Sequence, residues 1–193
     1  MKRLMMMLIL VAGICSVGFA EESPSSANVQ YRFTSGGFWT CGSNFSGGFG
    51  EFGINLLPQE KGLVLRNCIF VQGSGGHLSK NDQLEFSSLD IGNKLILGGR
   101  VNCPGFIVRS YGFAAISLGL FSCQGHPFAS SPFLLNLSYG GGFEFQFTRR
   151  NAFVLEFGGL SRFLAGQINT AECPFTDFSN SSPLLTIGFR SFI

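Results

Sequence analysis

Residues 134–164 read LLNLSYGGGFEFQFTRRNAFVLEFGGLSRFL. Leu135, Leu137, Tyr139, Phe143, Phe145 and Phe147 share one parity, with Gly141 filling the gap. Asn136, Ser138, Glu144, Gln146 and Thr148 share the other, with Gly140 and Gly142. Successive side chains of a strand point to opposite faces, so one face is apolar and aromatic and the other polar and charged. Arg149, Arg150 and Asn151 turn the chain, and residues 152–164 alternate again, Leu155, Phe157 and Phe163 against Glu156 and Arg162. Each arm runs far past the ~5–6 residues usual for strands of globular sheets. Each also exceeds the ~9–11 residues that a tilted transmembrane strand needs. The apolar face is built from large aromatics where a soluble sheet would mix in Val and Ile. The hairpin therefore predicts one quarter of a small membrane barrel.

Composition extends that reading to the whole chain. Its 193 residues suit one domain. Charged residues make up 12%, about half the ~25% of an ordinary soluble domain. The mean hydropathy is +0.30, yet no stretch after residue 20 is long and apolar enough for a spanning helix. Apolar residues dispersed at every second position have this signature. A net charge of +2 without a basic cluster points away from nucleic acid or another polyanion as partner. Residues 1–20, MKRLMMMLILVAGICSVGFA, carry Lys2 and Arg3, an apolar core and Gly18-Phe19-Ala20, the pattern of a cleavable secretory signal peptide. Cys15 faintly resembles a lipoprotein site, but Ile14 before it is too bulky for that cleavage. Residues 21–27, EESPSSA, read as a short periplasmic leader, and residues 28–193 as the barrel.

Alternation places further strands at 29–34, 45–57, 63–73, 85–101, 106–122 and 184–193, beside the two arms of the hairpin. The connections 36–44, 74–82, 124–132 and 165–183 are long, whereas 58–62, 102–105 and 149–151 are short. This long–short alternation is expected when short turns face the periplasm and long loops face outside. An even strand count lets an up-and-down barrel close without an exposed edge. The expected fold is all-β: an eight-stranded antiparallel up-and-down transmembrane β-barrel.

With its signal segment, alternating strands, short turns and aromatic terminal strand, the chain resembles the small barrels of Gram-negative outer membranes, including the OmpA membrane domain and the OmpW group. Segments GLVLRN at 62–67 and GNKLILGGR at 92–100 resemble spirochaetal sequences. The resemblance implies a bacterial outer-membrane location, lipids and the barrel-assembly machinery as partners, and a structural or narrow porin-like role. The chain departs from the pattern in ending Phe192-Ile193 rather than on an aromatic residue.

If the aromatic face meets lipid, Arg66, Asp90, Lys94, Arg100, Arg109, Glu144, Glu156, Arg162 and Arg190 point into the lumen. They would either pair into a salt-bridged plug, since about eight strands leave an interior just wide enough for side chains, or line a narrow polar conduit. Five cysteines lie beyond the signal. Cys41, Cys123 and Cys173 fall at the outer rim or loops, where an exported protein permits a disulfide. Cys103 falls in a periplasmic turn and Cys68 inside the barrel. Neither these nor His77 and His126 show metal-ligand spacing, so no metal or other cofactor is expected. Catalytic motifs are absent too: no G-x-S-x-G, H-E-x-x-H or P-loop occurs, and the chain is not expected to be an enzyme. Phe128, Phe133, Phe175 and Phe178 belong to an aromatic girdle or, as the OmpW resemblance implies, to an apolar mouth for a small hydrophobic solute. The alternative to a channel or structural role is a surface adhesin acting through its outer loops.

Overall fold

The computed structural model describes residues 31–40, 45–56, 62–77, 85–103, 105–123, 133–148, 150–165, 168–170, 173–175 and 179–192, apart from Arg149 and some side chains near strand ends. The expected signal peptide and leader, and with them Cys41, His126, Phe128 and Phe178, lie outside them. Among the described residues there are ten strands: β1 (Tyr31–Thr40), β2 (Phe45–Asn55), β3 (Leu63–His77), β4 (Glu85–Cys103), β5 (Phe106–Cys123), β6 (Phe133–Gln146), β7 (Asn151–Ala165), β8 (Ile168–Thr170), β9 (Cys173–Phe175) and β10 (Ser179–Phe192). Eight of them close a barrel in the order β1-β10-β7-β6-β5-β4-β3-β2, every neighbour antiparallel, while β8 and β9 form a separate two-stranded hairpin. Closure is made by β1 and β10, in register from Arg32 opposite Phe192 to Thr40 opposite Leu184. Every strand of the barrel thus has two partners, and no row of backbone donors is left at an edge.

Alternation along each strand sorts the residues as the sequence predicts. On β4, Leu97 is 60% exposed and its neighbour Ile96 is 0% exposed. Outward rows are apolar: Leu63, Ile69 and Val71 on β3, Ile116, Leu118 and Leu120 on β5, and Tyr139 and Phe143 on β6 are all exposed. Aromatics concentrate toward the two ends, with Tyr31 stacked on Phe52 at 5.8 Å and Phe147 against Phe189 at 6.0 Å at the short-turn end. Trp39 and Phe133 stand exposed at the other end. The interior is the inverse, buried and mostly polar.

Short turns fix the register at one end. Gly62 and Gly105 adopt φ of 71° and 83°, a left-handed conformation that costs glycine little. In the turn between β6 and β7, Thr148 Oγ1 accepts from the backbone N–H of Arg150 at 3.3 Å and of Asn151 at 2.9 Å. Between β6 and β7, Gly140 opposes Gly158. A Cβ added at Gly140 would sit 2.7 Å from Gly158 Cα, so a side chain there has no room.

Three strand boundaries differ from expectation by several residues. β1 continues through Gly36, Gly37 and Trp39 to Thr40, because flanking strands supply backbone partners on both sides even where glycines interrupt the pattern. β3 reaches His77 by pairing with β4 up to Glu85. β10 begins at Ser179 rather than near 184, its serines and Pro183 laid against β7. The connection between β7 and β10, read as one long loop, contains the β8–β9 hairpin.

Candidate functional site

Among the described residues the lumen holds ten buried charged side chains, arranged in two tiers. The tier nearer the short turns centres on Glu144 of β6, which is 0% exposed. Four arginines from four other strands reach its carboxylate. Arg32 Nη1 and Arg109 Nη1 donate to Oε1 at 2.8 and 2.6 Å, and Arg190 Nη1 and Arg66 Nη2 to Oε2 at 2.5 and 3.3 Å. β1 and β3 lie three positions from β6 on an eight-strand ring, so these bridges cross the lumen. Charge-assisted pairs of this kind are about twice as strong as neutral hydrogen bonds.

A second set of bridges interlocks with the first. Arg190 also donates through Nη2 to Glu51 Oε1 at 2.9 Å and through Nε to Thr34 Oγ1 at 2.6 Å. Lys94 Nζ donates to Glu51 Oε2 at 3.1 Å and to Glu156 Oε1 at 2.6 Å, tying β4 to β2 and to β7. Tyr111 adds its hydroxyl to Glu156 Oε1 at 3.0 Å, and Asn55 Oδ1 accepts from Arg66 Nε at 3.0 Å. This tier sets five cations (Arg32, Arg66, Lys94, Arg109, Arg190) against three carboxylates (Glu51, Glu144, Glu156).

The tier nearer the long loops is mostly neutral. Asp90 accepts from Ser88 at 3.0 Å, Asn136 at 3.0 Å and Gln72 at 3.3 Å. Beside it an aromatic row runs Phe38–Phe45–Phe86–Phe121, with centroids 6.1, 4.9 and 5.4 Å apart. The guanidinium carbon of Arg162 lies 3.1 Å from the Phe45 ring centroid, and its buried Nε and Nη2, like Asn136 Oδ1, make no hydrogen bond among the described residues. Between the tiers is a cavity of about 50 Å³ bordered by Phe38, Phe49, Phe70, Phe113 and Leu160 together with Lys94 and Glu156. That is room for a few waters.

Of the residues singled out from sequence, Arg66, Lys94, Arg109, Glu144, Glu156 and Arg190 meet in the first tier, and Asp90 and Arg162 stand in the second. Arg100 does not join them. It is on the inward parity but near the short-turn end, half-buried, where its Nε donates to Asn102 Oδ1 at 2.7 Å in an exposed setting. Phe133 is 65% exposed on the outer surface, so it belongs to a girdle and not to an apolar mouth. Phe175 lies on β9 and Cys173 beside it, and Cys123 ends β5, but their side chains, like Phe128 and Phe178, fall outside what is described, as does any disulfide among Cys41, Cys123 and Cys173. Cys68 is a buried free thiol in the lumen and Cys103 a half-buried one at the end of β4.

Sequence reasoning left out Arg32 and Glu51. Both sit on the inward parity beside Thr34 and Asn55, and that parity was the available signal. It also left out the inner aromatic row, since Phe38, Phe45, Phe86 and Phe121 share the parity of the charges.

No family model matches the chain, and no curated protein matches it. Among solved structures it is similar to Neisserial surface protein A, with 17% identity and a TM-score of 0.48, covering 84% of this chain and 94% of that one. It is also similar to a major outer membrane protein from Thermus thermophilus (10% identity, TM-score 0.46, 86% and 100% covered). A third is Ail, the attachment invasion locus protein of Yersinia pestis (11% identity, TM-score 0.43, 86% and 100% covered). By its own strand order the chain is a closed eight-stranded up-and-down β-barrel.

Proposed function

We propose that this chain is an integral β-barrel of a bacterial outer membrane whose lumen is plugged at rest, serving as a structural membrane protein and not as an open pore. The observation that carries the reading is the convergence of four arginines on Glu144 across the lumen. Apolar outside and charged inside is the arrangement a barrel needs in hydrocarbon; in water so large a contiguous apolar surface would aggregate. Lipids cover the outward rows, and the barrel-assembly machinery is the natural partner of the aromatic terminal strand. The resemblance to the OmpW and OmpA-domain barrels, the spirochaetal likeness of two segments and a non-catalytic role belong to the same reading. The small cavity between the tiers suits water rather than an organic solute, so passage of a small hydrophobic solute would require the bridges to part.

Planar-bilayer recording tests the plug. The wild-type protein should insert and show no steady conductance, whereas Glu144→Gln should give steps. With five cations left against two carboxylates, those steps should be anion-selective. Large steady steps in the wild type would overturn the plugged reading.

An adhesin role is the second reading. β4 and β5 run 19 and 18 residues, well beyond the ~9–11 that span a bilayer. Their long-loop ends are polar, with Ser87 and Ser122 opposed. Such an extension would hold the outer loops clear of the membrane. Deleting residues 166–178 should then abolish cell attachment while leaving the barrel folded; unchanged attachment would remove this reading.

A further inference from the structure

The outward rows of β3 and β4 are aliphatic from Leu63 to Val71 and from Leu89 to Leu97, except for one asparagine in each. Asn67 stands between Leu65 and Ile69 on β3, and Asn93 between Ile91 and Leu95 on β4. Asn67 is the third of the five outward residues from Leu63 to Val71, and Asn93 the third outward residue of the run from Leu89, which continues through Gly99 to the exposed Val101. Register places Asn67 opposite Leu95 and Ile54, and Asn93 opposite Ile69 and Ile116. The two amides meet diagonally and exchange two hydrogen bonds. Asn67 Nδ2 donates to Asn93 Oδ1 at 3.1 Å, and Asn93 Nδ2 donates to Asn67 Oδ1 at 2.9 Å.

A reciprocal amide pair uses one N–H and one oxygen lone pair of each residue. One N–H and one lone pair on each remain, directed away from the ring along its edges. In water they would be solvated. At the middle of an apolar band they have no partner in lipid, where an unsatisfied polar group is costly and polar side chains turn toward protein.

What remains is self-complementary. A second copy brought up by a two-fold axis presents the same spare donors and acceptors, so each pair can bond to the other edge to edge, as primary amides do when cyclic pairs line up in ribbons. An aliphatic partner surface would leave all of them unsatisfied. The β6–β7 face carries Tyr139, Phe143 and Phe157 instead, with no such amide pair among its described residues.

We propose that the β3–β4 face, centred on the Asn67–Asn93 pair, is the surface through which two copies of this chain associate in the membrane. The interface is isologous, with each amide pair meeting its own copy. It rests on the membrane reading above.

The test is energy transfer between copies labelled at the amino terminus with donor or acceptor and reconstituted together in phosphatidylcholine vesicles at decreasing protein-to-lipid ratio. Flotation of the vesicles reports insertion separately. Transfer should stay above the random-proximity value on dilution, and Asn67→Leu/Asn93→Leu should bring it down to that value while still floating. Leucine suits a lipid-facing strand, so this variant should fold; Tyr139→Leu on the other face should leave transfer unchanged. Insertion with transfer at the random value, transfer retained by the double leucine variant, or equal loss in Tyr139→Leu would overturn the interface and leave the membrane reading standing. Failure of the wild type to float would overturn both.

Discussion

Arg190 Nη1 lies 2.5 Å from Glu144 Oε2, and the same guanidinium reaches Glu51 at 2.9 Å. One arginine on the last strand thereby joins the carboxylates of β2 and β6, and both carboxylates are buried. Desolvated charges persist only where partners are close and numerous, because taking each ion out of water costs several kcal/mol.

Glu144 is where that balance is most exposed to mutation. Glu144→Ala leaves four guanidinium groups around an empty centre and should cost about 3–5 kcal/mol, the range for removing one member of a buried ion pair. Urea midpoints of the circular-dichroism transition in detergent would measure it. A loss below about 1 kcal/mol, the level of an exposed pair, would mean the network is not dry.

Lys94 and Glu156 should be coupled. Among the described residues Lys94→Met leaves Glu156 with only the Tyr111 hydroxyl, whereas Glu51 keeps Arg190. The single variant should destabilise, and Glu156→Gln made on top of it should cost less than it does alone. The coupling should be about 0.5–3 kcal/mol for residues in one network. Additive losses would contradict the 2.6 Å bridge.

Arg162 should behave in the opposite sense. It packs on Phe45, and its buried Nε and Nη2 make no hydrogen bond among the described residues. Replacing a poorly matched buried ion by an apolar side chain of similar volume is often neutral or stabilising. Arg162→Met should therefore hold or raise the same urea midpoint, and a marked fall would mean that its attraction to Asp90 outweighs the cost of its burial.

Much of this was legible in residue parity, and the omissions have physical causes. The hairpin at 134–164 announced itself because its first arm sets polar residues and glycine against an outward row of apolar ones. Alternation ends β1 at Thr34 because Gly36 and Gly37 carry no side chain to show a face, although their backbones pair on both sides. Alternation does not reveal the start of β10 because Ser179–Pro183 carries no apolar row to display, although it pairs with β7. Parity gives direction but not depth, so it does not show that Arg100 stands at the short-turn end, bonded to Asn102 and apart from the Glu144 network. The inner phenylalanines were missed because a barrel interior need not be polar throughout.

Gly158 tests the packing between β6 and β7. An added Cβ would meet Gly140 Cα at 2.9 Å and crowd the Tyr139 carbonyl. Gly158→Ala should cost about 1–3 kcal/mol, as overpacking does, seen as a lower temperature at which the folded gel band is lost. An unchanged temperature would mean the two strands can part at little cost.

Heat-modifiability on an SDS gel tests most directly whether the barrel closes and belongs in lipid. The protein is refolded in detergent, and boiled and unboiled samples are run side by side. The unboiled band should migrate apart from the boiled one and give a strand-rich circular dichroism spectrum. A single band in both lanes, from protein that stays soluble without detergent, would contradict the account.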